Sequence, residues 1–484
     1  MRSEPNRWLV LVLVCIAQFM VVLDATVVNV ALPSIQKDLG FSYSSLQWIV
    51  NGYTLVFGGF LLLGGRASDL IGRQRLFVAG IVVFTVASAI NGVANSDGLL
   101  IAGRALQGFG GALVSPAALS IVTTTFEEGK ERTKALGVWS AIAAGGAAVG
   151  LVLGGVLTEY LSWRWVFFVN LPVGVGAALL SLRYVPNSRA QQRPESYDTA
   201  GAVTITGGLL VLVYAIVKAQ SYGWGSWQTL GLFAAAVLLH VVFVLVELRS
   251  RAPLVRLGIF RLRSLTGSNG AMLLVASGLF AMFYFASLYL QQILGYKPVK
   301  AGLAFVPFTL GIIVGAGLSQ ALIKKLGVRV VTYVGITLGV LGLLYFARLP
   351  VHGTYVKDIL PTILIVSIGM GLTFVPCTLL ATTNVEDRDA GLASGILNTS
   401  QQVGGALGLA ILSTLATSRT SHLLNHGVSS VAVRASAQTS GYHVAFAVGA
   451  GMLALAAVVL AVTVRKQDAE AIDAGHVEVG PAGA

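Results

Sequence analysis

The chain has 484 residues, of which 55% are hydrophobic and 11% charged, and its mean hydropathy is +0.80. A soluble domain carries roughly a quarter charged residues, so the surface of this chain cannot mostly face water. The formal net charge of +12 raises the question of nucleic acid, but the basic residues lie in short loops between apolar runs. The composition therefore excludes a soluble enzyme and a nucleic-acid-binding protein, and it indicates a polytopic membrane protein.

Long apolar runs, separated by polar breaks, fill most of the chain. A helix needs about 20 apolar residues to cross the roughly 30 Å of hydrocarbon, and in lipid its backbone amides must find partners inside the helix. We therefore predict an all-α fold in which both termini share one side, because the number of spans is even. The runs predict about fourteen transmembrane helices, near residues 8–32, 47–65, 76–95, 98–125, 134–159, 163–184, 199–219, 228–248, 269–294, 300–323, 329–349, 357–383, 391–417 and 442–464.

The loops rich in Lys and Arg all fall on one side of the predicted membrane. With the spans above, more than two thirds of the 32 Lys and Arg residues lie on the same side as the termini. By the positive-inside rule that side is the cytoplasm. We expect a multi-pass protein of the inner (plasma) membrane of the cell, with both termini cytoplasmic. On the other side, 418–441 is predicted as an outer loop, either a lid or a passive connection.

Two polar stretches, 185–198 and 249–263, flank a pair of spans in the middle of the chain. Removing that pair leaves six spans on each side, which predicts two pseudo-repeated halves. The loop Gly65–Arg73 has a degenerate counterpart near Gly317–Arg329, which supports a repeat. The predicted organisation is an N-terminal six-helix bundle at 1–184, linkers with an inserted transmembrane hairpin at 185–268, a C-terminal six-helix bundle at 269–464 and a disordered cytoplasmic tail at 465–484.

Asp24 is the only acidic residue deep within a predicted span. A carboxylate in hydrocarbon is costly unless it is paired or faces water, so such a residue is a functional candidate. Arg104, on the fourth span, is the matching cation, and at about 1.5 Å of rise per residue the two lie at similar depth and can meet. Asp24 is either a proton-coupling residue or half of a structural ion pair. Arg104 is either its permanent partner or half of a switchable pair.

The segment Gly64–Arg75, GGRASDLIGRQR, is predicted to be a very short cytoplasmic loop. Its glycines allow a sharp reversal, and Asp69 is placed to cap the helix that begins near Gly391. The spacing alone favours the alternative, an ordinary positive-inside loop.

The fifth span carries Gly146, Gly150 and Gly154 at four-residue intervals, with Gly155 beside them. Small residues at this spacing let two helices approach closely and slide, which suits a rocking motion; static packing is the alternative.

Polar and aromatic side chains within the spans are candidates for a substrate cavity between the halves. Most aromatic residues in such runs face lipid or neighbouring helices instead. The sequence has no GxxxxGK[ST] loop, so ATP does not drive the protein directly, and it has neither HExxH nor GxSxG. No enzymatic centre, catalytic residue or metal site is predicted. The cavity candidates are Tyr53, Gln107, Tyr284, Gln291, Asn398 and Gln401.

Six motifs stand in a fixed order over most of the chain, and together they resemble the major facilitator superfamily and, within it, the fourteen-span drug:proton antiporters. One departure is visible: in GLVLGG, on the fifth span, Leu151 replaces the proline of the family's antiporter motif, which puts the bend and seal attributed to that motif in doubt. The six are LDATVVNVALP (Leu23–Pro33), GGRASDLIGRQR (Gly64–Arg75), LIAGRALQGFGGA (Leu100–Ala112), WRWVFFVNLPVG (Trp163–Gly174), LQQILGYKPVKAGLAFVP (Leu290–Pro307) and GLASGILNTSQQVGGALG (Gly391–Gly408).

The resemblance implies proton-coupled efflux, or antiport, of lipophilic cationic or neutral drugs and antibiotics by alternating access. The proton gradient would drive it, with no cofactor and no ATP. Expected partners are a lipophilic small molecule, protons and the lipid bilayer, with no nucleic acid, and the protein would act as a monomer. The later spans lack acidic residues, which favours monocationic, zwitterionic or neutral substrates and few protons per cycle.

Two other functions stay open. One is dedicated export of a single endogenous metabolite or natural product, as in self-resistance. The other is a non-transporting membrane sensor or scaffold, which would have no reason to keep two buried charges.

The resemblance also implies roles for individual residues. The implied roles are proton coupling for Asp24 and Arg104, a conformational latch for Gly65, Asp69, Gly72 and Arg73, and an antiporter packing motif for Gly146, Gly150, Gly154 and Gly155.

Overall fold

A computed structural model describes residues 6–126, 130–186, 198–250, 253–383, 385, 389–424, 430–465, 467 and 472. This part of the chain is helical, with short connections, which confirms the predicted all-α fold. Of the predicted tail 465–484, all but three positions lie outside the described residues. The helices are α1 (Arg7–Leu39), α2 (Tyr43–Leu46), α3 (Trp48–Ile71), α4 (Arg73–Gly92), α5 (Asp97–Thr125), α6 (Lys130–Tyr160), α7 (Trp165–Phe168), α8 (Asn170–Tyr184), α9 (Thr199–Tyr222), α10 (Trp227–Arg249), α11 (Arg263–Leu288), α12 (Pro298–Ala304), α13 (Val306–Leu326), α14 (Val328–Phe346), α15 (Leu360–Thr382), α16 (Ala390–Leu424) and α17 (Val431–Thr463), with a 3₁₀ turn at Leu257–Arg261 and π turns at Tyr289–Ile293 and Tyr355–Ile359.

Twelve helical segments in the described ranges are long and apolar enough to cross a membrane, so the chain is a multi-pass membrane protein. The predicted number was fourteen. Helices α6 and α16 account for the difference. The apolar part of α6 is confined to Gly145–Tyr160, and α16 carries a run of five polar residues at 398–402 that lowers its hydropathy.

The predicted loop Gly64–Arg75 is wrong, because helix replaces it almost entirely. Helix α3 continues to Ile71 and α4 begins at Arg73, so Gly72 alone lies between them. Gly72 has φ 111°, a backbone conformation that favours glycine, and its N–H donates to the carbonyl of Ser68. Gly327, in the degenerate counterpart, joins α13 to α14 in the same way with φ 82°. The likeness of the two stretches therefore extends to their backbone conformation.

The predicted outer loop 418–441 is also largely helical. Helix α16 runs on to Leu424 and α17 begins at Val431, and 425–429 lies outside the described residues. The two extensions contact each other, since Arg419 Nε donates to Ser440 Oγ at 3.2 Å. The prediction failed because these stretches are too polar for a span, yet polarity does not prevent a helix from continuing beyond the membrane.

Two apolar clusters show where the helices meet. One contains residues of α1, α3 to α6 and α8, among them Val14 and Phe84. The other joins the second half of α1, including Leu32 and Ile35, to residues of α11 to α17 such as Phe285. The helices before and after the α9–α10 pair therefore share a core near the end where α1 finishes. Helix α10 packs on α9, which in turn packs on α3 and α16.

Hydrogen bonds close the same end. Ser287 Oγ donates to the carbonyl of Asn29 at 2.8 Å, and Gln291 Nε2 donates to the carbonyl of Val30 at 3.0 Å. These bonds tie α1 to the end of α11 and the π turn that follows it, so the two groups of helices are held together there.

Candidate functional site

Asp24 and Arg104 form an ion pair inside the N-terminal group of helices. Arg104 Nη1 on α5 contacts Asp24 Oδ2 on α1, which confirms that the two residues meet. The side chain of Asp24 is 0% exposed and that of Arg104 is 1% exposed. Because removal from water is costly for both ions, such a pair persists only where further hydrogen bonds satisfy their remaining atoms.

Gln107, one helical turn after Arg104, supplies several of those bonds. Its Nε2 donates to Asp24 Oδ1 at 2.7 Å and to Ser88 Oγ at 2.7 Å. Its Oε1 accepts from Arg104 Nη1 at 2.8 Å and from Asn91 Nδ2 at 2.8 Å. Gln107 therefore uses both amide hydrogens and both lone pairs of its oxygen.

Asn170, the first residue of α8, completes the coordination of the carboxylate. Its Nδ2 donates to Asp24 Oδ1 at 2.9 Å and to Ser88 Oγ at 3.2 Å. Asp24 thus accepts from three donors on two helices, which is the arrangement suited to its ionised form.

Arg104 is fixed by backbone and aromatic contacts as well. Its Nε donates to the carbonyl of Ile49 at 3.0 Å. The guanidinium carbon lies 4.3 Å from the ring centroid of Tyr53 and 5.9 Å from that of Phe167. These contacts suit a planar guanidinium and would not be reproduced by a lysine.

Close helix packing places the pair. Helix α5 begins with Ser96 as N-cap and then carries small residues toward its neighbours. A Cβ on Gly110 would lie 2.6 Å from the backbone nitrogen of Phe84 on α4, and one on Gly103 would collide with the side chain of Asn91. Larger residues would push α5 from α4 and separate Gln107 from Ser88.

The predicted latch residues occupy the junction of α3 and α4. Gly65 and Asp69 lie within α3, Gly72 lies between the helices and Arg73 begins α4. Arg73 Nε donates to Ser120 Oγ at 2.6 Å, which links α4 to α5. The Asp69 side chain lies outside the described atoms, so its predicted capping of the helix near Gly391 stays a prediction.

The glycines of α6 lie against α1. A Cβ on Gly154 would come within 2.6 Å of the carbonyl oxygen of Val27, and Gly146 and Gly150 face the preceding turns of α1. Gly155 points elsewhere, toward Pro298 at the start of α12. Helix α6 runs unbroken through Leu151, the position where the family's motif has proline.

The six cavity candidates lie in three places. Tyr53 and Gln107 belong to the network around Arg104. Tyr284 is 2% exposed on α11, and Gln291 is engaged in closing the end of α1. Asn398 and Gln401 on α16 are partly exposed. In the described part of the chain, no cluster of three His, Cys, Asp or Glu side chains could hold a metal ion.

Sequence reasoning missed three members of the network, namely Ser88, Asn91 and Asn170. A signal was present for the first two, because they are three residues apart on one span, as are Arg104 and Gln107 on the next. Polar pairs at this spacing share one face of a helix. Asn170 lies within the quoted motif WRWVFFVNLPVG, but its spacing gives no indication of a contact with Asp24.

A family model for the Major Facilitator Superfamily matches residues 14–409. The chain belongs to this superfamily. It is 43% identical to the puromycin resistance protein pur8 of Streptomyces alboniger, over 99% of this chain and 95% of that protein. It is 42% identical to the cephamycin export protein CmcT of Amycolatopsis lactamdurans, over 85% of each. This major facilitator superfamily protein is therefore a transporter and not an enzyme.

Solved structures agree on the fold. The superfamily protein resembles a bacterial homologue of the human lysosomal transporter Spinster, in an inward-facing and unoccupied conformation, with a TM-score of 0.67 over 95% of this chain and 97% of that chain. The sequence identity is 15%, so this likeness shows the fold alone.

Proposed function

We propose that this transporter exports lipophilic cationic or neutral antibiotic-like molecules from the cytoplasm in exchange for protons, by alternating access. The observation that carries the proposal is the buried pair of Asp24 and Arg104. A carboxyl group held inside the bundle by donors that turn or move can bind a proton in one conformation and release it in another. The proton gradient is then the energy source, without ATP or a cofactor.

The architecture we propose has fourteen spans. Helices α6 and α16 are long enough to cross the bilayer at 31 and 35 residues, and they pack among the other spans. Residues 1–184 then form one six-helix bundle, 269–464 form the other, and α9 and α10 form an inserted hairpin. The matching glycine junctions at Gly72 and Gly327 support two related halves. Both termini are cytoplasmic, the membrane is the plasma membrane, and the working unit is a monomer.

Residue roles follow from this scheme. Asp24 and Arg104 couple protons, and the junction of Gly65, Asp69, Gly72 and Arg73 acts as a latch between conformations. The glycine face of α6 lets α1 move against it. With the cytoplasm on the side of the termini, the closed end of α1 is the outer gate, and the partly exposed amides of α16 face the substrate cavity.

A dedicated exporter of one natural product is the second candidate. It is favoured by the names of three relatives, each of which specifies one compound: puromycin for the Streptomyces alboniger protein, cephamycin for that of Amycolatopsis lactamdurans, and tetracenomycin C for a resistance and export protein of Streptomyces glaucescens that is 36% identical. Growth inhibition across a panel of unrelated drugs separates the two, because protection against a single compound supports dedication.

Transport in proteoliposomes tests the main proposal. A pH gradient is imposed, and a fluorescent cation such as ethidium is followed. Accumulation against the concentration gradient that collapses with a protonophore supports antiport. If accumulation is unchanged by the protonophore, the proposed proton coupling is wrong.

The glycine contact of α6 with α1 gives a separate prediction. In Gly154→Ala the new Cβ meets the carbonyl oxygen of Val27, so we expect a loss of about 1–3 kcal/mol in stability and slower transport. Gly145→Ala is the matched control, since a Cβ there has nothing within 4 Å. Thermal unfolding in detergent and initial transport rates measure both effects. Equal behaviour of the two variants would contradict the proposed packing role of Gly154.

A further inference from the structure

The carboxylate of Asp24 is surrounded by donors. Its Oδ1 accepts from Gln107 Nε2 and Asn170 Nδ2, and its Oδ2 accepts from Arg104. A proton that binds to either oxygen turns it into a donor, and a buried hydroxyl without an acceptor is costly. If Asp24 carries a proton at any stage, one neighbour must therefore present an acceptor.

Two of the three neighbours are poorly suited to that task. A guanidinium has only donors, which excludes Arg104. Gln107 has an acceptor, but its oxygen holds Arg104 and Asn91 while its nitrogen holds Asp24 and Ser88. Turning this amide would place its NH2 group against the N–H donors of Arg104 and Asn91, so that two of its four hydrogen bonds would be lost.

Asn170 can turn at much lower cost. Both of its described hydrogen bonds, to Asp24 and to Ser88, come from Nδ2. A half-turn of the amide about χ2 exchanges Nδ2 with Oδ1, so that the oxygen then faces Asp24 and can accept its proton. Ser88 can adapt to this turn without strain. In the structure its hydroxyl accepts from Asn170. After the turn the hydroxyl can donate to the amide oxygen of Asn170 while it still accepts from Gln107.

We propose that Asn170 is the residue that responds to the protonation state of Asp24, with its amide nitrogen donating to the carboxylate and its amide oxygen accepting from the carboxylic acid. The inference rests on the proposed proton coupling at Asp24. Asn170 is a positioning residue, since it acts on transport through Asp24. The only covalent change is the transfer of a proton to a carboxylate oxygen of Asp24.

The other groups around Asp24 do not present both a donor and an acceptor to its carboxyl. Arg104 on α5 is the cation in contact, and Tyr53 on α3 lies beyond it against the guanidinium. Helices α4 and α8 contribute the neutral side chains of Ser88 and Asn170. Of these groups, the Asn170 amide alone offers the carboxyl a donor and an acceptor from nearly the same position.

Asn170 is connected through a short stretch of chain to the closed end of α1. It begins α8 directly after α7, and the segment before α7 is bound to the far end of α1. There Trp163 Nε1 donates to Asp38 Oδ2 at 2.9 Å, and Arg164 Nη2 lies 3.3 Å from the same oxygen. The amide that turns therefore belongs to the same stretch of chain as the side chains that hold the closed end of α1.

Infrared difference spectroscopy between low and high pH tests the proposal on the full-length protein in lipid. The C=O stretch of protonated Asp24, identified by its loss in Asp24→Asn, reports whether the acid donates a hydrogen bond. In Asn170→Leu, an apolar replacement of similar size, we expect this band to move to higher frequency. Proton-driven transport should fall about tenfold, the loss that corresponds to one hydrogen bond.

Two further variants keep the result interpretable. Asn269→Leu removes another buried amide, one bound to the carbonyl of Leu265 and to Ser400, and should leave the band unchanged. Asn170→Gln keeps an amide with both a donor and an acceptor, so the band should stay near its original frequency even if Asn170→Leu unfolds.

The outcomes distinguish proton coupling at Asp24 from the role of Asn170. A wild-type protein without any Asp24 carboxyl band and without proton-driven transport rejects the proposed function. A band that is present but has the same frequency in wild type and Asn170→Leu rejects the role of Asn170 and leaves proton coupling intact. A shift in Asn269→Leu equal to that in Asn170→Leu also overturns the role, because the effect would then be unspecific.

Discussion

In the Asp24→Asn variant, accumulation of substrate driven by a pH gradient falls to the background rate, while downhill exchange of substrate continues. The amide has nearly the shape of the carboxyl group but cannot take up and release a proton. Proton movement down the gradient therefore no longer drives substrate transport. Counterflow of labelled substrate in proteoliposomes measures exchange, and accumulation under an imposed gradient measures coupling. Full accumulation in this variant would remove Asp24 from the coupling mechanism.

The same variant leaves Arg104 as an uncompensated buried charge. Breaking such a pair costs about 3–5 kcal/mol, so a loss of folded protein could imitate a loss of coupling. The double variant Asp24→Asn with Arg104→Gln removes both charges and should regain much of the stability. It should not regain accumulation. Thermal unfolding of both variants in detergent, together with transport normalised to folded protein, separates stability from mechanism.

Much of the fold followed from the sequence because hydrophobic length is a strong signal in a membrane protein. The all-α fold, the multi-pass topology and the meeting of Asp24 with Arg104 needed only apolar runs and a rise per residue. The loop at Gly64–Arg75 was misjudged because charge in a short segment indicates exposure to water, which a helix tolerates as well as a loop. Only the positive φ of Gly72 ends α3.

The rest of the site depended on packing that one sequence does not display. Asn170 contacts Asp24, and Ser88 contacts Asn170 and Gln107, because α4 and α8 turn one particular face inward. Neutral side chains in a span give little sign of which neighbour they meet. Gln107 was placed in a substrate cavity for its chemistry, whereas the close approach of α5 to α4 turns it into the centre of a buried network. Long-range register between helices is set by such contacts and not by composition.

Arg104→Gln is expected to uncouple transport from the pH gradient as completely as Asp24→Asn does. Without the guanidinium, the buried carboxylate loses its counter-charge, and an isolated ion in that position costs more than the neutral acid, so the alternation between the two forms is lost. The two single variants and the double variant should therefore share one transport phenotype, because residues that act as a unit are not additive. Accumulation under an imposed gradient is measured for all three.

Arg104→Lys separates charge from geometry, because it keeps the positive charge and removes the planar guanidinium. A lysine cannot reproduce the bond from Nε to the carbonyl of Ile49 together with the stacking on Tyr53. We expect a partial defect, with accumulation reduced about tenfold or more, that corresponds to one charge-assisted hydrogen bond of about 1.5–3 kcal/mol. If Arg104→Gln retained full accumulation while Asp24→Asn lost it, Arg104 would be a static neighbour. If Arg104→Lys were as inactive as Arg104→Gln, the geometry of the guanidinium, and not its charge, would be what the proton cycle requires.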